Sequence, residues 1–195
     1  MTLKQCVCRS AAMAAAAAVL VLTGCAQVKL GAANPSIENI QAAKASGMPP
    51  VAVGTFVLAE GVPRSVDEAV SIRSNRFFSP YDSSFAKYLQ ETLTAELRAA
   101  GLLDANAATR ISGQLTRSEV EAGTSSGTAS LGAWFVVYRN DAVIYRKQLV
   151  EQDNWPSSFV GAVAIPDAAN HYAALYRRLV ARLLTDEDFR KAMKP

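Results

Sequence analysis

Two carboxylates and one imidazole are the side chains whose types and spacing could support acid–base chemistry. Glu119 and Glu121 are two residues apart and would share one face of a β-strand, and glycosidases use a pair of flanking carboxylates. His171 is the only histidine, whereas a zinc site takes three or four ligands. The residues therefore argue against an enzyme, a metal site and a bound cofactor. A hydrolase that acts through Glu119 or Glu121 is the weakest alternative.

The N-terminal residues form a pattern that is typical of a secretion signal. Lys4 and Arg9 place positive charge before an unbroken apolar run over residues 11–22. This run is too short for a membrane-spanning helix, which needs about 20 residues. Residues 1–24 are therefore predicted to be a signal peptide. Two of the three cysteines lie inside it, so Cys25 alone remains and the exported chain has no disulfide.

The residues Leu22-Thr23-Gly24-Cys25 resemble the lipobox of bacterial lipoproteins. The resemblance implies that the Cys25 thiol receives diacylglycerol, that the signal is cleaved before Cys25, and that its amine gains a fatty acid such as palmitate. More than one acyl chain makes a lasting membrane anchor. Residue 26 is alanine, not the aspartate that retains such lipoproteins at the inner membrane, so we expect the periplasmic face of the outer membrane. The alternative is an ordinary secretory signal in which Cys25 is incidental.

Length and charge limit the rest of the chain. The 195 residues fit one domain, typically about 100–150 residues, with an appendage. Removal of two of the 20 basic residues with the signal leaves 18 against 17 acidic ones, too few for the cationic face that nucleic acid needs. Residues 25–50 are predicted to be a lipidated N-terminus and tether, with a reach on the order of 25–30 Å if it is flexible. A short helical turn at residues 37–45 is an open alternative within it. Residues 51–195 are predicted to be a single domain.

Runs of β-branched and aromatic residues predict the strands of this domain. The predicted strands cover residues 51–58, 110–121, 129–139 and 142–150. The last three form a meander, whose turns are residues 123–127 and Asn140-Asp141. Residues 60–80 are predicted to be a long connection, in which Phe77-Phe78 anchors the chain to the core. The alternative is that the two rings bind a partner.

Two longer segments have the period of a helix. Apolar residues recur every four positions from Phe85 to Leu97, with a cap expected at residues 82–83 and Gly101 after the end. A second helix is expected to begin at Pro166, and a short one follows it. The order β-α-β-β-β-α predicts an α+β fold with a mainly antiparallel four-stranded sheet and two main helices.

The expected hairpin register places aromatic residues on both faces of the sheet. With Asn140-Asp141 as a two-residue turn, Trp134, Tyr138 and Tyr145 share the face opposite Phe135. Two helices cover only one face of so small a sheet, so these side chains are candidates for a partner-binding patch. The alternative is that the long connection or another core element covers them.

An aromatic loop precedes the last helix. It contains Trp155 and Phe159. Such a loop can be the lip of a binding site, or it can be a plug that seats the helix on the sheet. The sequence leaves both interpretations open.

The chain resembles a group of uncharacterised proteobacterial lipoproteins. The resemblance lies in residues 79–89, 96–101, 111–113, 155–161 and 186–189. More distantly, the chain is similar to the YajG-type lipoproteins and to the auxiliary lipoproteins of lipid-transporting ABC systems. This implies a periplasmic adaptor at the outer membrane, without a known activity.

Three functions follow as hypotheses. The first is a non-catalytic adaptor, anchored to the membrane through Cys25, that binds another protein in cell-envelope transport or assembly. The second is a carrier of lipid or glycolipid, which would need an apolar cavity between sheet and helices. The third is the hydrolase. The expected partners are the membrane and an envelope protein, with neither nucleic acid nor metal.

Overall fold

The computed structural model describes residues 27–194, so the predicted signal peptide and Cys25 lie outside the described residues. The strands are β1 (Gln27–Lys29), β2 (Ala52–Leu58), β3 (Val70–Ile72), β4 (Asn75–Phe78), β5 (Thr109–Ala122), β6 (Ser126–Arg139) and β7 (Ala142–Pro156). The helices are α1 (Ile37–Ala45), α2 (Ser65–Glu68), α3 (Phe85–Ala100), α4 (Gly161–Thr185) and α5 (Glu187–Ala192). The fold is mixed α+β.

Strands β2, β5, β6 and β7 form the larger sheet in this order. β2 runs parallel to β5, and the other two pairs are antiparallel, as expected for a mainly antiparallel sheet. Arg139 pairs with Ala142 across the predicted two-residue turn. Both turn residues, Asn140 and Asp141, have positive φ angles of 48° and 63°, which suits the twist of a tight hairpin.

A bulge in the β6–β7 hairpin changes which side chains share a face. Val137 pairs with Tyr145, and Ile144 is the extra residue. Because side chains alternate along a strand, this shift of one residue turns Tyr145 toward the core, where it is 6% exposed. The prediction that Tyr145 shares a face with Trp134 and Tyr138 is therefore wrong.

Helix α3 occupies the segment with the apolar period of four. The Ser84 hydroxyl caps it by accepting a hydrogen bond from the Lys87 backbone N–H at 3.1 Å. The predicted cap at residues 82–83 is wrong, because both residues have positive φ angles and form a turn before the helix. Gly101 has a φ of 75° and ends the helix in the left-handed conformation, as predicted.

Helix α4 begins at Gly161 and not at Pro166, because the Val163 and Ala164 N–H groups bond to the Val160 carbonyl and form a first turn. It packs on β6 and β7, beside α3, which packs on β2 and β5. Both long helices lie on the same face of the larger sheet. No helix between residues 27 and 194 has the length and hydropathy of a membrane span.

Residues 60–80 contain regular structure that the sequence did not predict. They form α2 and the hairpin of β3 and β4, to which β1 adds in parallel. The result is a second, three-stranded sheet in the order β1-β4-β3. Phe77 is buried in the core, as predicted for an anchor, whereas Phe78 is half-buried.

Residues 27–50 pack against the domain, so the prediction of a flexible tether is wrong for this stretch. The buried Asn39 amide on α1 donates to the Glu96 carboxylate on α3 and to the Arg177 carbonyl on α4, both at 2.9 Å. The Ser36 N–H donates to both Glu96 oxygens, at 3.1 and 3.0 Å. Leu30, Ala43 and Met48 are buried in the core as well, but they are spaced too irregularly along the chain to form an apolar period.

Side chains fill the space between the larger sheet and the long helices. Tyr172 and Tyr176 of α4 are fully buried, and their hydroxyls lie 2.8 Å apart. Both hydroxyls also bond to Ser118 of β5. The ring of Phe85 packs against both tyrosines, at centroid distances of 5.4 and 6.3 Å. The interior cavity that a lipid carrier would need is therefore occupied by protein.

Candidate functional site

The face of the larger sheet opposite the long helices is left uncovered by the elements of residues 27–194. We call it the open face. Three neighbouring rows of residues across β5, β6 and β7 are Arg110–Tyr138–Val143, Ser112–Val136–Arg146 and Gln114–Trp134–Gln148. The long connection between β2 and α3, which was one candidate to cover this face, lies on the helix side instead. Trp134 and Tyr138 are both half-buried on the open face.

Two arginines lie over the aromatic rings of the open face. The Arg110 guanidinium carbon is 4.7 Å from the centroid of the Tyr138 ring, and that of Arg146 is 5.2 Å from the centroid of Trp134. Cation–π pairs at exposed sites contribute about 0.5–1 kcal/mol. These contacts favour one orientation of each ring.

The other side chains of these rows are uncharged, and exposed valines lie both in the rows and beside them. Val57, Val143 and Val150 are 47%, 55% and 38% exposed. The Gln148 amide donates to the Thr116 hydroxyl at 3.1 Å, which satisfies part of its hydrogen-bonding capacity. The open face therefore combines aromatic, aliphatic and amide groups.

The two carboxylates considered for hydrolysis lie at the other end of the open face. Glu119 and Glu121 share one face of β5, as predicted, and line a shallow depression of about 450 Å³ together with Ser130 and Gln152. Both carboxylates are exposed to solvent.

Tyr145 and Trp155 lie on the opposite side of β7, against the helices. The ring of Tyr145 packs edge-on against Phe189 of α5 at 5.6 Å, and burial raises the pKa of its hydroxyl well above the usual range. Trp155 is 5% exposed and stacks on His171. Trp155 therefore acts as the plug between sheet and helix, whereas Phe159 is 80% exposed.

His171 belongs to a polar cluster between β7 and α4. Its Nδ1 atom lies 2.7 Å from Oδ2 of Asp153, and the Arg178 guanidinium contacts the same oxygen. Burial alone would raise the pKa of Asp153, but hydrogen bonds from Arg178 and His171 outweigh it and hold this pKa below its ordinary value. The cluster links strand to helix.

The described residues bring no nucleophile to this histidine. Residues 123–127 have the letters Gly-x-Ser-x-Gly, but they form the tip of the β5–β6 hairpin and not the strand-to-helix turn of a hydrolase. No serine hydroxyl in residues 27–194 lies within hydrogen-bond distance of His171. The same residues contain no group of three His, Cys, Asp or Glu side chains suited to a metal ion.

A second apolar surface lies at the start of α4. Phe159, Val160 and Val163 are 80%, 55% and 57% exposed, and we call these three side chains the apolar tip. Arg73, in the β3–β4 turn, holds this loop by donating to the carbonyls of Ser158 and Phe159 at 2.5 and 3.0 Å. It also donates to two carbonyls at the end of β5. The sequence pattern predicts only Phe159 of these three residues, because it predicts a later start for α4.

A groove of about 650 Å³ separates the segment around β1 from α4. Its lining includes Val28, Phe77 and Ile165, with Lys29 and Arg177 at its edges. The groove lies close to the start of the described residues.

Comparison with known proteins gives a similarity of fold. No family model and no curated protein matches the sequence. A protein of Xanthomonas campestris from the family DUF330 has a TM-score of 0.56 at 12% identity, over 82% of this chain and 92% of that one. A minor lipoprotein from Acinetobacter baumannii has a TM-score of 0.43 at 11% identity, over 72% and 92%. The first similarity shows a shared fold, which does not establish function. The resemblance to YajG-type lipoproteins stays a prediction.

Proposed function

We propose that this protein is a non-catalytic binding module of the cell envelope. Acylated Cys25 anchors it to the periplasmic face of the outer membrane, and its open face binds another envelope protein. The observation that carries the proposal is the uncovered sheet face, on which Trp134 and Tyr138 of β6 lie between β5 and β7. The lipobox pattern supports the anchor, and Ala26 supports the outer membrane.

The composition of the open face supports a protein partner. Aromatic residues and arginine are enriched in protein interfaces, and burial of apolar area contributes about 25 cal/mol per Å². Arg110 and Arg146 are the two cations in the three rows of the open face. They favour a partner whose apolar surface is bordered by carboxylates, since such charges would complement them.

Catalysis has less support. Within residues 27–194 the Asp153–His171 pair has no serine hydroxyl within hydrogen-bond distance, and Glu119 and Glu121 are solvated. A lipid or glycolipid carrier is the second candidate, and the groove beside β1 favours it, because its volume of about 650 Å³ is that of a ligand pocket. Mass spectrometry of the purified acylated protein would show a co-purifying lipid if the groove carries one.

Site-specific cross-linking in living cells tests the adaptor. A photo-reactive amino acid at Val143 or at Gln148, both on the open face, should capture one and the same envelope protein. The control is Ile37, an apolar residue that is 71% exposed on the helix side. Capture of that protein from Ile37 as well, or from none of the three positions, would contradict the proposal.

Two substitutions test the anchor and its location. Cys25→Ser should abolish fatty-acid labelling and release the protein from membranes. Ala26→Asp should keep the acyl chains and shift the protein to inner-membrane fractions. An N-terminal peptide without acyl mass in the unaltered protein would refute the anchor.

A further inference from the structure

We propose that the apolar tip is a membrane-contact site, which holds the domain against the same lipid surface that carries its anchor. This inference deepens the proposed function and rests on acylation of Cys25. It assigns a role to Phe159, Val160 and Val163, which the adaptor face does not use.

The position of Gln27 restricts where the acyl chains can lie. Cys25 precedes it by two residues, and two residues span at most about 7 Å. The Gln27 backbone pairs with Arg76 of β4, next to the β3–β4 turn. In this turn, Arg73 binds the carbonyl of Phe159. The anchor therefore leaves the domain at the end of the small sheet to which the apolar tip is attached.

The groove beside β1 is independent evidence that the start of the described chain lies near the apolar tip. Val28, the residue after Gln27, and Ile165, two residues after Val163, line it together. Thus the first strand and the first turns of α4 are neighbours. Because Cys25 precedes Gln27 by only two residues, an acylated Cys25 would hold the apolar tip close to the headgroups of the bilayer.

The chemistry around the apolar tip suits a lipid surface. Large apolar side chains enter the boundary between headgroups and acyl chains, and nearby cations attract anionic lipids. Lys29 and Arg76 are both exposed and share one face of the small sheet. The acidic residue nearest to the apolar tip in the sequence is Asp167, one turn beyond Val163. Its carboxylate lies 3.8 Å from the imidazole of His171. A bilayer with anionic lipids is therefore the occupant that we infer.

Fluorescence quenching tests this contact on the acylated full chain. Acylation occupies Cys25, so Val163→Cys provides a single site for an environment-sensitive dye. The protein is reconstituted into vesicles of phosphatidylethanolamine and phosphatidylglycerol, with or without nitroxide-labelled lipid. We expect a shift of emission to shorter wavelength and a loss of emission with nitroxide lipid. Val160→Cys should behave in the same way.

The matched control is Ile37→Cys, at an exposed apolar side chain on α1. α1 contacts α4 at Arg177, roughly 20 Å along the helix from Val163 at 1.5 Å per residue. The dye there should keep its emission. Equal emission at both positions in the anchored protein would overturn the membrane contact and leave the proposed function standing. Absence of acyl mass on Cys25 would overturn both. An emission shift that grows with protein concentration, without nitroxide quenching, would indicate a second protein copy and overturn the membrane contact.

Discussion

The indole ring of Trp155 lies parallel to the imidazole ring of His171, with centroids 4.3 Å apart and 6° between the ring planes. The stack joins the end of β7 to α4. Gly127 on the neighbouring strand makes room for it, since a Cβ atom there would lie 2.2 Å from the indole. Together with the bond from His171 to Asp153, the stack gives this histidine a packing role.

Removal of the imidazole should therefore reduce stability. His171→Ala loses both the stack and the bond to Asp153, and we expect the free energy of unfolding to fall by about 1–2 kcal/mol. His171→Phe keeps an aromatic ring on Trp155 and should lose clearly less. Urea denaturation of the purified protein measures both. Equal losses in the two variants would show that the stack contributes nothing.

The Asp153 carboxylate should make stability sensitive to acid. Its pKa is lowered in the folded protein, because bonds from Arg178 and His171 outweigh the effect of burial. A carboxyl group whose pKa is lower in the folded than in the unfolded state stabilises the fold at pH values above its unfolded pKa, here near 3.8. This stabilisation is lost as the pH falls through the pKa of the folded state. Asp153→Asn should be less stable than the unaltered protein at pH 6 and lose less on acidification. Urea midpoints across the acid range measure this, and parallel curves would contradict it.

The Glu96 carboxyl should have the opposite pH dependence. Burial raises its pKa, against the bonds from Ser36 and Asn39. A carboxyl group whose pKa is higher in the folded than in the unfolded state contributes stability at pH values below its unfolded pKa, here near 4.5. That contribution is lost as the pH rises through the pKa of the folded state. Glu96→Gln should therefore lose less stability than the unaltered protein as pH rises above 4.5. Urea midpoints of Glu96→Gln and of the unaltered protein across this range measure the difference, and identical slopes against pH in the two proteins would refute it.

Gly113 should not tolerate a methyl group. A Cβ atom there would lie 2.3 Å from the ring of Phe56, which is 2% exposed and packed edge-on against Phe135. We expect Gly113→Ala to destabilise the protein by about 1–3 kcal/mol through overpacking. Gly31→Ala is the control, because no atom lies within 4 Å of its Cβ position. Thermal unfolding of both variants measures the difference, and a Gly113→Ala protein as stable as the control would refute the overpacking.

Local patterns in the sequence were sufficient to predict where the long helices and strands of the fold lie. The period of four predicted α3, and β-branched runs with a two-residue turn predicted the hairpin of β6 and β7. The smaller sheet could not be predicted in this way. Its strands are three or four residues long, and β1 finds its partner β4 almost fifty positions later in the chain.

The candidate surfaces were predictable only in part. Alternation along β6 placed Trp134 and Tyr138 together, but a bulge at Ile144 has no sequence signature, and it moved Tyr145 to the core. The apolar tip was missed because Pro166 suggested a helix start. The proline instead sits within the helix, after a first turn that exposes Val163.

The length of β7 has a mechanical consequence. This strand is 15 residues long and leads from the row of Val143 to the end beside the apolar tip. At about 3.3 Å per residue, Val143 and Trp155 are separated by roughly 40 Å. If the apolar tip rests on lipid as we propose, the length of β7 sets the height of Trp134 and Tyr138 above the headgroups. Deleting two residues from each strand of the β6–β7 hairpin would then lower this height by about 7 Å while preserving both faces of the sheet.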